Sequence, residues 1–120
     1  VKRRFRLTRS TDIKRVRRSG KSYAHPLVVL YVLKSDKSET QVGVSAGLAV
    51  GNAVKRNRAK RLLRAAMTDL LPVTIPGCYL LLIGRSPLPA ASAQQAHEAI
   101  SSLLRRAGLL SQAYDDKLSA

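Results

Sequence analysis

Val54-Lys55-Arg56-Asn57-Arg58-Ala59-Lys60-Arg61-Leu62-Leu63 runs directly into Arg64-Ala65-Ala66-Met67-Thr68-Asp69-Leu70-Leu71. Ala59, Leu62, Leu63, Ala66, Met67 and Leu70 recur at the i, i+3, i+4 intervals of an amphipathic helix. The spacing predicts a helix from about Asn52 or Ala53 to Leu71, ended by Pro72, which cannot continue it. At about 100° per residue, Asn57, Lys60, Arg61 and Arg64 lie opposite the apolar stripe, with Arg58 at its edge. No acid occurs from Val54 to Thr68. A solvated surface helix normally mixes both signs of charge, because like charges one turn apart repel. This helix therefore reads as a surface that a polyanion covers, with Lys55, Arg56, Asn57, Arg58, Lys60, Arg61 and Arg64 as the binding residues.

Outward from this helix, the punctuation predicts a mixed fold. Ser10 or Thr11 is the expected N-cap of a short first helix closing near Gly20, with Ile13 and Val16 as a narrow apolar edge. Leu27 to Leu33 reads as a strand, Ser35-Asp36-Lys37-Ser38 as a polar turn, and Gln41 to Ala46 as a second strand paired to the first in a hairpin. Gly47 and Gly51 bracket a short connection. After the central helix, Ile75-Pro76-Gly77 is a turn and Cys78 to Ile83 a buried strand. Ala93 to Ala107 is the last helix, with Ala96, Ile100, Leu103, Leu104 and Ala107 inward and Gly108 as its stop. The order is α-β-β-α-β-α, with room for an extra strand in the hairpin region. That is an α+β sandwich with helices on one face of a small sheet.

The 120 residues fit one domain, with a basic N-terminal arm over about residues 1–9 and a frayed tail over about 111–120. Apolar residues make up 45% of the chain, enough for a core, and aromatics only 4%, so that core is aliphatic. The net charge of +15 exceeds what solubility needs and points to an anionic partner, nucleic acid first and a membrane surface second. The arm carries Lys2, Arg3, Arg4, Arg6 and Arg9, and the positive run continues through Lys14, Arg15, Arg17, Arg18 and Lys21 against a single acid, Asp12. This arm is either a disordered electrostatic tether or a segment that orders on RNA. Two clusters far apart in sequence are expected to form one surface once folded.

Catalysis by the chain itself is not expected. His25 and His97 have no partner set in the sequence, and no pair of acids has the spacing of a two-metal nuclease site. Gly47 to Gly51 lacks the pattern of a phosphate-binding loop. Cys78 is the single cysteine, so one chain can form no disulfide and no cysteine metal site. It sits in an apolar run and is expected to be a buried, inert thiol. The apolar run Cys78 to Ile83 is far below the ~20 residues that span a bilayer. No apolar signal segment is seen, so the expected compartment is the cytoplasm. On the binding side, arginine can fork two donors onto one phosphate and lysine supplies a point charge. Asn57 could address a base edge, a ribose hydroxyl or a neighbouring arginine. Tyr31 is either core or a platform for a single-stranded base.

Gly51-Asn52-Ala53-Val54-Lys55-Arg56-Asn57-Arg58-Ala59-Lys60-Arg61-Leu62-Leu63-Arg64 resembles the signature of the bacterial ribonuclease P protein subunit. The resemblance extends to Arg6-Leu7, Gly20, Leu30-Tyr31, Val42-Gly43-Val44-Ser45, Tyr79-Leu80-Leu81 and the last helix. It implies a two-layer α/β sandwich like the second domain of ribosomal protein S5. The sheet would be small and mixed, with a left-handed βαβ crossover where the usual rule gives the right hand. It also implies partnership, one protein per RNA, with a catalytic RNA that removes the 5′ leader of precursor tRNA. The magnesium ions would be held by the RNA and substrate, with no cofactor on the protein. Carried over by position, Arg56, Asn57, Arg58, Lys60, Arg61 and Arg64 would contact the catalytic RNA. The leader would lie in a cleft lined by Ile13, Arg17 and Tyr31. Family members often carry aromatics where this chain has Ile13 and Arg17, and many have a lysine pair where it has Gly47-Leu48-Ala49. The other classes to separate are a ribosomal or RNA-chaperone binding module and a nuclease acting without RNA.

Overall fold

A computed structural model describes residues 5–111. Its elements are α1 (Ser10–Ser19), β1 (Lys21–Ala24), β2 (Val28–Lys34), β3 (Gln41–Ala46), α2 (Ala53–Leu70), β4 (Cys78–Gly84) and α3 (Ala93–Arg106). The four strands form one mixed sheet in the order β1-β2-β4-β3. Strand β4 lies antiparallel to β2 and parallel to β3.

The expected hairpin of Leu27–Leu33 with Gln41–Ala46 is not formed. Strand β4 lies between them, with Leu30 facing Leu82 on one side and Val42 facing Leu80 on the other. The reason is burial. Six of the seven β4 residues are buried, and a strand apolar on both faces belongs at the centre of a sheet. The extra strand is β1, and it makes the hairpin with β2, pairing Tyr23 with Leu30. The unit β3-α2-β4 is then a parallel βαβ crossover.

Alternation along β4 separates two cores. Leu80 and Leu82 join Leu30, Val42, Leu63, Met67, Leu70, Ile100, Leu103 and Leu104 beneath α2 and α3. Tyr79 and Leu81 join Leu7 and Val16 beneath α1, with Ile13, Tyr31, Leu33 and Ile83 packed around them. Placement of the helices on one face therefore holds for α2 and α3, whereas α1 covers part of the other. Its two-residue apolar edge is too narrow to compete for the main core.

Local signals set the ends. Asn52 caps α2, its side chain accepting from Lys55 N–H at 3.0 Å. Ser92 and Gln95 form a capping box on α3. Helix α1 starts one residue earlier than expected, with Arg9 at the N-cap and no side-chain cap bond. The central stripe is buried except for Leu62, which is half-buried; His97 on α3 and Ala107 at its C-cap are half-buried too. Residues 1–4, with Lys2, Arg3 and Arg4, and residues 112–120 of the expected tail lie outside the described residues. The rest of the arm is part of the fold: Leu7 is buried and its N–H donates to Val42 O at 2.7 Å.

Gly20 has an ordinary negative φ, so its role is space. A Cβ there would run into the carbonyl oxygen of Val16 and lie 2.9 Å from that of Val32. Gly20→Ala is expected to lower stability by about 1–3 kcal/mol, the usual cost of overpacking; an unchanged urea midpoint would show that the α1–β2 contact yields freely. Burial raises the Cys78 thiol above its ordinary pKa, partly offset by nearby Lys34. A raised acid is stabilising below its unfolded pKa, and that contribution is lost as pH rises through the folded value. Labelling of native Cys78 by a thiol reagent at about pH 8, near the onset of free thiol ionisation, should be slow and should accelerate only along the unfolding transition.

Candidate nucleic-acid interface

Helix α2 buries Ala59, Leu63, Ala66, Met67 and Leu70, which forces its cations outward. They fall into two groups. Arg56, Lys60 and Arg64 are half-buried at four-residue intervals, about 6 Å per step along the axis. Lys55, Asn57, Arg58 and Arg61 are exposed. No salt bridge joins an α2 cation to an acid among the described residues. The Nε of Arg56 is buried without a hydrogen-bond partner.

The two basic clusters of the sequence meet in space. Arg64 lines a small pocket with Arg6, Leu7, Thr8, Val42, Gly43 and Val44 at the outer edge of β3. Arg6 forms a bridge to Val42 there, and Arg9 and Lys37 continue the lining on the α1 side. The arm is thus, from Arg6 onward, a piece of the same cationic surface as α2.

The cleft residues divide. Ile13 and Tyr31 come together in the core beneath α1, both half-buried. Arg17, one turn beyond Ile13 on the same helix, is exposed. The strand register extends the sheet surface from the row Ser22-Tyr31-Leu81-Gly43 to the next row, Ala24-Val29-Ile83-Ser45. In that second row Val29 and Ile83 are half-buried, and Ala24 and Ser45 are exposed.

Other features were not visible in the sequence. Arg58 donates through Nε to Pro89 O at 2.7 Å and through Nη2 to Ala91 O at 3.4 Å, tying α2 to the loop before α3. Arg15 sits over the Tyr79 ring at 5.2 Å and 3.7 Å from Asp12, fastening α1 to the sheet. On the far side, Arg106 Nη1 donates to Ala24 O and Arg85 Nη1 to His25 O. Nothing in the local sequence marks these arginines as different from the rest.

The histidines are apart from this surface. His25 Nδ1 accepts from Leu27 N–H at 3.0 Å, an ordinary turn contact. Among the described residues no three His, Cys, Asp or Glu side chains gather as metal ligands, and no helix is long and apolar enough to cross a membrane.

An α+β sheet protein with a continuous cationic face on one helix and its N-terminal arm belongs to the class of polyanion-binding proteins. The sequence model of the family described as Ribonuclease P matches residues 1–108. A ribonuclease P protein component from an Exiguobacterium strain is 36% identical over 107 residues, covering 89% of this chain and 93% of that protein. That of Symbiobacterium thermophilum is 36% identical over 111 residues, covering 92% and 96%. Among solved structures, the Staphylococcus aureus RNase P protein superposes with a TM-score of 0.79 at 23% identity, over 88% of this chain and 97% of that one. The Thermotoga maritima RNase P protein gives 0.76 at 24%, over 84% and 96%. The chain belongs to the ribonuclease P protein family. It is the protein component of a ribonucleoprotein endoribonuclease that processes tRNA.

Two kinds of arginine on one helix should separate by experiment. Lys60→Ala with Arg64→Ala should weaken RNA binding and reduce the slope of log affinity against log salt by about 0.7–0.9 per lost phosphate contact. Arg58→Ala should, unlike that pair, also lower the thermal stability of the free protein, by about 1 kcal/mol for a hydrogen-bonded clamp at the surface. Equal slopes for wild type and the Lys60/Arg64 variant would remove this row from the interface.

Proposed function

We propose that α2 and the arm seat this chain on the ribonuclease P catalytic RNA, one protein per RNA, while the surface beside α1 receives the 5′ leader of precursor tRNA. The observation that carries this reading is the acid-free cation face of α2, continuous with Arg6 across the β3 edge. On that face each cation can replace counterions on the RNA backbone, which gives affinity without sequence reading. The leader is single-stranded, and the α1 side offers what a single strand needs: Tyr31 and Ile13 as an apolar floor, with Arg17 as a cation at the rim. On this reading the chemical step belongs to the catalytic RNA. Magnesium belongs, on this reading, to the RNA and substrate. The protein's contribution is to hold the leader in register with the scissile bond, an effect of binding and orientation.

Reconstitution tests the reading. The protein is mixed with a bacterial ribonuclease P RNA at low magnesium, and cleavage is followed for precursor tRNA with long and short leaders. Stimulation is expected only with RNA and protein together, and more for the longer leader. Arg17→Ala should reduce the gain from leader length while leaving the short-leader rate and the folded-state spectrum unchanged. Tight binding to unrelated structured RNAs without any stimulation would instead make the chain a general RNA-binding module.

A further inference from the structure

Beside the cation row, α2 carries an open groove of about 480 Å³ lined by Val54, Arg58, Arg61, Leu62 and Ala65. Of its apolar members only Leu62 also packs against the core. Val54 is 72% exposed, on a helix turn where a polar residue would cap or solvate better, and Ala65 is exposed. Leu62 is the one stripe residue that the core leaves half-covered. The two arginines differ in freedom. The hydrogen bonds from Arg58 to Pro89 O and Ala91 O engage the edge of its guanidinium, which fixes the plane and leaves the flat faces unused. Arg61 Nε reaches back to Asn57 O at only 3.5 Å, a weak tie.

We infer that this groove takes one unstacked base of the RNA that covers α2. A base has a flat apolar face for Val54, Leu62 and Ala65, and it stacks on a guanidinium plane. Its own phosphates bring negative charge to Arg61 in the lining. A peptide of apolar side chains would satisfy the groove floor but leave this cation uncompensated, in a chain of net charge +15. The inference rests on α2 being the RNA face and adds to it a contact that is not to a phosphate. The contact lets the helix favour an RNA with an extrudable base at that point over a regular duplex of equal charge.

The separating variable is salt. Val54→Ser removes apolar contact and no charge, on a site exposed enough to leave folding intact. Its affinity for a bacterial ribonuclease P RNA should fall about five- to tenfold, at the low end of the range of a lost stacking contact, with the salt slope unchanged. One or two nucleotides whose bases are reactive to chemical probes when free should be protected by the wild type and reactive again with Val54→Ser. Val54→Ile should restore both. Wild-type affinity for Val54→Ser, or identical base protection, would overturn the inference while leaving the RNA face intact. Failure of the wild type to bind that RNA would overturn both readings together.

Discussion

Strand β4 is covered on both faces, and that burial sets where the other elements can go. Its even-numbered residues need one apolar layer and its odd-numbered residues another. The broad stripes of α2 and α3 can supply the first, and the narrow edge of α1 with Leu7 the second. Strand β3 must then approach β4 from the side that a parallel crossover allows, because α2 intervenes between them in the chain. The cation face of α2 points outward as a consequence. The interface is the back of a helix whose front is fixed by the core.

Such a helix repels itself before RNA arrives, and the magnitudes show why it still forms. Neighbouring like charges one turn apart, such as Arg56 with Lys60 and Lys60 with Arg64, each destabilise by about 0.2–0.5 kcal/mol. The whole face sums to roughly 1–3 kcal/mol on that basis. Full burial of Leu63, Met67 and Leu70 stabilises by roughly 1.5–3 kcal/mol apiece. Packing wins by a clear margin. The free protein can therefore keep the helix and its cations preformed, so binding need not include the entropy of folding them.

What the sequence revealed follows the range of the forces involved. The limits of α2 and α3 and the inward faces were legible because they depend on spacing of a few residues. The order of the strands was not. A run such as Gln41–Ala46 alternates equally well beside β2 or β4, and only the two-sided burial of Cys78–Gly84 decides between them. The site divided in the same way. The Lys55–Arg64 face was legible from charge alone. Spacing put Arg58 at the edge of the stripe but could not show its clamp, because the carbonyls that hold it belong to Pro89 and Ala91, more than thirty positions along the chain. Ile13 and Tyr31 were grouped through the resemblance; both pack against the core beneath α1, and Arg17 is exposed one turn along the same helix from Ile13.

The same cations answer a second problem, that of exposed sheet edges. Strands β1 and β3 are the two edges, and an unpaired edge invites another chain. Part of β3 is occupied by the Arg6–Val42 bridge and the Leu7 N–H, with Arg64 beside it. On β1 the carbonyl of Ala24 accepts from Arg106 at 2.7 Å, and Lys21 begins the strand. Both edges therefore present positive charge to any second copy of the chain, which repels it, and to RNA, which does not share the penalty. Charge that would be a liability in a neutral setting separates the two possible neighbours of each edge by sign. The requirement to bind a polyanion and the requirement to stay unpaired at the edges are met by the same arginines and lysines.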